Sequence, residues 1–152
     1  MGTVYSDQKT KWDQNDPSEM IKPIEQGGRV RIAYGSYTAS AEQSDIHMFN
    51  LPNGARILDG ELVHVALGSS TTLSVGHAAY SNSAGTAVAL DVDEFKAAAA
   101  STSITTVGCA LTAALGKNSV VDADATGLPV TVSLAGANGT GLIELTMTYV
   151  LD

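Results

Sequence analysis

Residues Pro129–Asp152 read PVTVSLAGANGTGLIELTMTYVLD, and the reading of this stretch decides the fold. Val130, Val132 and Leu134 alternate with Thr131 and Ser133. Ile143, Leu145, Met147, Tyr149 and Leu151 alternate with Glu144, Thr146, Thr148 and Val150. Alternation with a period of two sends successive side chains to opposite faces, so both flanks read as strands with one side against a core. Between them lies Gly136-Ala-Asn-Gly-Thr-Gly141. A phosphate-binding loop needs a helix N-terminus after its glycines, and here a strand follows. Asn138-Gly139 is instead a hairpin signal, because both central residues of a type I′ turn need a positive φ. The sequence therefore predicts a terminal β-hairpin with Val132, Leu145, Met147 and Tyr149 buried, and no chemistry in the glycine knot.

Short strands precede it. Arg29–Tyr34, Asp45–Phe49, Ala55–Leu67, Thr71–His77, Thr102–Cys109 and Ser119–Asp122 carry strand patterns, with Gly60 marking a bulge or bend. Tyr80–Ala89 is a loop rich in Gly, Ser and Ala. Asp91–Ala100, DVDEFKAAAA, is the one stretch that reads as a helix, with acids in its first turn. Many strands, one short helix and frequent small turn residues indicate an all-β antiparallel sandwich or jelly roll.

Residues 1–28 differ. They are polar, lack a sustained period, contain two prolines and end at Gly27-Gly28. They read as an extended N-terminal arm ahead of a β domain over 29–152. Trp12, Met20, Ile21 and Ile24 are its apolar anchors. These four are the candidate contact residues toward another subunit or a capsid, with charged neighbours Lys9, Lys11, Asp13, Asp16 and Lys22 as a polar rim.

The chain has 152 residues, with 8 basic and 16 acidic side chains and a net charge of −8. Five of the eight basic residues fall within the first 31 positions, which leaves the body acidic. Such a chain is not expected to coat nucleic acid. No stretch is apolar and long enough to span a membrane, and the N-terminus lacks a signal-peptide core. One cysteine, Cys109, rules out an internal disulfide and reads as a small buried residue.

Candidate chemistry is sparse. His47, His64 and His77 lack a spacing suited to a shared metal, and structural roles outweigh ligand roles. Asp91-Val-Asp93-Glu94 and Asp122-Ala-Asp124 lack the glycine and spacing of a calcium loop. No Gly-x-Ser-x-Gly elbow occurs, and aromatics make up only 5% of the chain, too few for the usual walls of a sugar site. The expectation is no enzyme, no catalytic residue, no cofactor and no bound metal.

From Leu51 onward, LPNGARILDGELVHVALGSSTTLSVGHA, then DEFKAAAAS, then GTGLIELTMTYVLD resembles the small virion structural proteins of tailed bacteriophages. The features carrying the resemblance are Leu51-Pro-x-Gly-Ala-Arg56 leading a strand, Thr72-x-x-Val75-Gly76, and the closing Tyr149-Val150 strand. It implies a capsid decoration (cement) protein of jelly-roll fold that binds the major capsid protein. It also implies a homo-oligomer, with a trimer favoured, and a place on the capsid surface of a virion assembled in the host cytoplasm. The competing reading is a tail- or fibre-associated β-domain that binds a host-surface glycan.

Overall fold

The computed structural model describes residues 6–14, 27–109 and 116–151. Among these residues one helix, α1 (Asp7–Gln14), precedes eight strands: β1 (Arg29–Leu51), β2 (Arg56–His64), β3 (Thr72–His77), β4 (Tyr80–Ser81), β5 (Ala87–Val88), β6 (Asp91–Ala100), β7 (Thr105–Cys109) and β8 (Leu128–Leu151). The fold is an all-β antiparallel sandwich of the expected class, and every strand pair is antiparallel. Six strands form one curled sheet in the order β6-β3-β8-β2-β7, with β1 paired to β8. β4 and β5 form a small separate ribbon within the Gly/Ser/Ala-rich loop.

The organising unit is the β1–β8 ribbon, two strands of 23 and 24 residues paired end to end. The first half of β8 lies between β1 and β3, and its second half lies between β1 and β2. The ribbon thus hands the chain from one leaf, β6-β3-β8-β1, to the other, β7-β2-β8-β1. Both leaves contribute to one core: Leu73, Val75, Phe95, Val130 and Val132 from the first, Ile57, Leu62, Ile143, Leu145 and Met147 from the second.

This corrects the terminal hairpin. The two flanks of the glycine knot do not pair with each other; both pair with β1, and β8 runs through. Positive φ falls on Gly136 (85°) and Gly141 (134°), not on Asn138 or Gly139, so no type I′ turn forms. The glycines bend a continuous strand instead. A Cβ on Gly136 would sit 2.3 Å from the Ser70 carbonyl oxygen, and one on Gly141 2.4 Å from Val65 Cγ2. The knot therefore also makes room for the turn after β2, which it meets through Thr140 N–H donating to Leu67 O. β1 bends opposite it, with Ala41 at φ 63° and register shifts on either side of Glu42. The residues expected to face the core do so: Val132, Leu145 and Met147 are fully buried, and Tyr149 packs half-buried against them.

The helix expected over Asp91–Ala100 is also overturned, since this stretch is strand β6, paired to β3. Its alanines favour a helix locally, but intrinsic propensity yields to tertiary context, and pairing decides instead. Phe95 enters the core, and Lys96 Nζ donates to the Leu73 and Ala97 carbonyls. Irregular register absorbs the unpaired residues of this edge strand. Among the described residues the one helix is α1 (Asp7–Gln14), within the stretch expected to be an extended arm. Finally, Arg29–Tyr34 and Asp45–Phe49, expected as separate strands, belong to one strand, with the polar stretch Gly35–Ser44 as the middle of β1.

Candidate interaction surface

β1 pairs with β8 alone among the described residues, so its other edge is open. In its first half, Val30, Ile32 and Tyr34 share the outer face and are 62%, 68% and 57% exposed. On the opposite face Ala33 is half-buried and Gly35 and Ala39 are buried, while Tyr37 between the last two stays exposed. An apolar row alternating with arginines would ordinarily be placed inward. Here it faces solvent, and exposed Leu142 on β8 lies along the same face, opposite Thr38.

The register lays out the rest of this face. Val30, Ile32 and Tyr34 oppose Val150, Thr148 and Thr146 of β8, and those threonines oppose Asp59 and Glu61 of β2. Asp59, Glu61, Thr146, Thr148, Gly60 and Gly108 line a shallow open hollow. The face therefore grades from an apolar edge through threonines to a pair of acids, with Lys117 3.6 Å from Asp59. Tyr34 donates its hydroxyl to Glu144 Oε1, and this bonded carboxylate raises the phenol above its ordinary pKa. The Tyr37 hydroxyl is tied to Glu42 at 2.6 Å and shifted upward for the same reason. These bonds orient both rings on the surface.

The arm residues fare differently. Trp12 falls within α1, and its side chain lies outside what the structure describes. Met20, Ile21 and Ile24 lie outside the described residues altogether. The row Val30–Ile32–Tyr34 was readable as a strand, but the alternation alone did not reveal that its apolar side faces out.

The other candidate groups serve the fold. His64 and His77 are buried, and their Nδ1 atoms lie 2.8 and 3.0 Å from the carbonyls of Val65 and Ala78. That geometry suits an Nδ1–H donor to the next residue's oxygen. His47 is exposed on β1. Asp91 accepts the Asp93 N–H, the main cause of its lowered pKa. Asp122 binds Ser83 and Asp124 binds Thr126, in each case through the side chain first and the backbone second, and both carboxyls are held below their usual range. These acids pin turns. Among the described residues, no group of three or more His, Cys, Asp or Glu side chains is placed to hold a metal ion. Cys109 is buried beside Gly60, where a Cβ would meet its Sγ at 2.5 Å. Desolvation pushes its thiol up to about 12, which leaves it protonated and unreactive at neutral pH.

The fold defines the chain as a curled antiparallel β-sandwich built on one long bent ribbon. Proteins of similar fold occur in phage capsids. A chain of the cyanophage Pam1 capsid asymmetric unit aligns with a TM-score of 0.57 at 22% identity, over 82% of this chain and 86% of that one. A chain of the capsid of Ralstonia phage GP4 aligns with a TM-score of 0.57 at 21% identity, over 87% and 91%. A chain of the acid-stable capsid of the Helicobacter pylori bacteriophage KHP30 gives 0.51 at 19%, over 80% and 87%. No protein-family model and no curated protein sequence matches the chain.

Proposed function

We propose that this chain is a structural protein of a phage virion, a decoration protein that binds the major capsid protein and stabilises the shell from its outer surface. The observation that carries the reading is the solvent-facing row of Val30, Ile32 and Tyr34 on a sheet whose fold is shared with three phage capsid chains. A contiguous apolar row left in water is a contact surface in search of a partner. Its threonine and acid flank suits the polar rim of an interface.

The arm, residues 1–28, acts as a segment separate from the domain over 29–152. Trp12, Met20, Ile21 and Ile24 extend the contact to the neighbouring subunit or shell. Symmetric shells offer repeated sites, and a self-associating trimer would present several arms and several β1 faces at once. The role is architectural rather than enzymatic, and it places the protein on the capsid surface of a particle assembled in the host cytoplasm.

The test is binding of the purified protein to undecorated heads, with copies counted per particle. Many copies bound over the shell support the reading. A handful confined to the tail would overturn it. Trp12→Ala is expected to weaken binding, because buried tryptophans are frequent hot spots.

A further inference from the structure

Between the β4–β5 ribbon and the turn that leads into β8 lies an open hollow of about 420 Å³, a volume typical of small-molecule sites. It shares no residue with the β1 face. Tyr80, Val88 and Pro129 supply apolar wall, and Asn50, Asp124 and Thr126 supply polar groups. The walls are tied together. Asp124 N–H donates to Ser81 O at 2.8 Å, and Ser83 N–H donates to Asp122 Oδ1 at 3.1 Å, which fastens the ribbon to the turn. The half-buried Tyr80 ring meets buried His77 edge to face, with centroids 5.2 Å apart and planes at 85°. A ring held this way loses little freedom when a ligand covers it.

The polar groups are oriented and still have capacity. Asn50 Nδ2 donates to Thr126 O at 2.8 Å, which fixes the amide plane. The amide keeps its other hydrogen and its carbonyl for a ligand. Asp124 Oδ1 accepts Thr126 N–H at 2.8 Å and Thr126 Oγ1–H at 2.5 Å, and an ionised carboxylate accepts about four such bonds. A planar amide and a planar carboxylate can each take neighbouring hydroxyls, and the ring beside them can take an apolar C–H face. Burial first, then the charges of Asp122 and Glu94, raises the Tyr80 phenol above its ordinary pKa. Acids therefore lie near the hollow, and no Lys or Arg among the described residues lines it.

We propose that this hollow binds a neutral pyranose sugar, stacked on Tyr80 and hydrogen-bonded by Asn50 and Asp124. The acids around it exclude anionic sugars by like-charge repulsion. The scarcity of aromatic residues counted against a sugar site in the sequence, but one ring face serves one pyranose, and the fold puts Tyr80 at the hollow. The site itself does not depend on the proposed function. Only its benefit does: many copies on a shell would sum weak single-site affinities into avidity for a glycan surface.

The experiment titrates the full-length, isotope-labelled protein with D-glucose, D-galactose, D-mannose and N-acetyl-D-glucosamine in turn, and follows backbone amide shifts by NMR. At least one of the four is expected to shift the amides of Ser81, Val88, Thr126 and Gly127 saturably, while D-glucuronic acid and N-acetylneuraminic acid do not. Ala87→Trp fills the hollow from an exposed position and removes none of the side chains named above. It should raise the Kd about tenfold or more, as should Tyr80→Ala, the scale of one lost stacking contact. Should Tyr80→Ala fail to fold, Ala87→Trp decides, since it takes nothing from the core. No saturable shift from any of the four, equal affinity for the acidic sugars, or unaltered affinity in folded Ala87→Trp overturns the proposal. None of these readouts involves a capsid, so failure here leaves the head-binding test untouched.

Discussion

β1 and β8 are nearly equal in length and are paired with each other along their whole course, yet they live in different solvents. β8 has a strand on each side and a core beneath it, and most of its apolar side chains are fully buried. Among the described residues β1 has one neighbouring strand, and its first half keeps Val30, Ile32 and Tyr34 exposed. The same backbone geometry therefore does two jobs. β8 contributes stability through burial, roughly proportional to the apolar area removed from water. The first half of β1 contributes little of that and leaves its apolar area exposed, whereas its second half buries Ile46 and Leu51. The difference comes from position in the sheet, since Arg29–Tyr34 of β1 alternates side to side as β8 does.

Substitutions can break this contrast. The largest effect is expected at the bend of β8. Gly136→Val forces a β-branched residue to φ 85° and drives its Cβ against the Ser70 carbonyl. Backbone strain and overpacking together should cost on the order of 5 kcal/mol, so the variant should be largely unfolded in a urea titration. Retention of the native midpoint would mean the bend is not fixed by this glycine. Leu145→Ala, in the second half of β8, should cost about 2–5 kcal/mol, measured by the same titration. A loss under about 0.5 kcal/mol would mean the faces of β8 are assigned the wrong way round.

Cys109 gives a smaller, pH-dependent effect. Its thiol is raised to about 12 in the folded protein, from an ordinary value of 9.0. Between those values the unfolded chain loses a proton that the folded chain keeps. The stability contribution is therefore fully present below pH 9 and is lost as the pH rises toward 12. Cys109→Ala should flatten part of the fall in stability over that window, read as melting temperature against pH; an unchanged slope would show that the thiol is not desolvated. The smallest effect is expected on β1, where Ile32→Ala should change stability by less than about 0.5 kcal/mol despite removing a large apolar side chain. A loss as large as that of Leu145→Ala would erase the distinction between the two strands.

Much of β8 was legible because burial of one face leaves a period-two record in the residues themselves. That record gave the correct inward set of Val132, Leu145 and Met147. It could not give the partner. Two alternating runs separated by Asn-Gly look the same whether they pair with each other or both with a third strand, and only tertiary packing chose β1. The middle of β1 left no such record, because Gly35–Ser44 is mostly exposed and nothing constrained its pattern. β6 misled for the opposite reason: its alanine run and leading acids are local helix signals, overridden by pairing with β3 and by the burial of Phe95. At the candidate surface, the alternation of Arg29–Tyr34 announced a strand but not which side met water. The anchors Trp12, Met20, Ile21 and Ile24 were chosen because they are apolar in a polar arm. Apolarity marks a contact without saying what is contacted.

The central claim is that the apolar face of β1 is kept for a partner, and Ile32→Glu tests it most directly. A charge at this exposed position should leave the thermal melt close to that of the native protein while abolishing most binding to undecorated heads, as measured by co-sedimentation. Native-level binding by a folded Ile32→Glu protein would contradict the account, because the shell would then be held by some other surface.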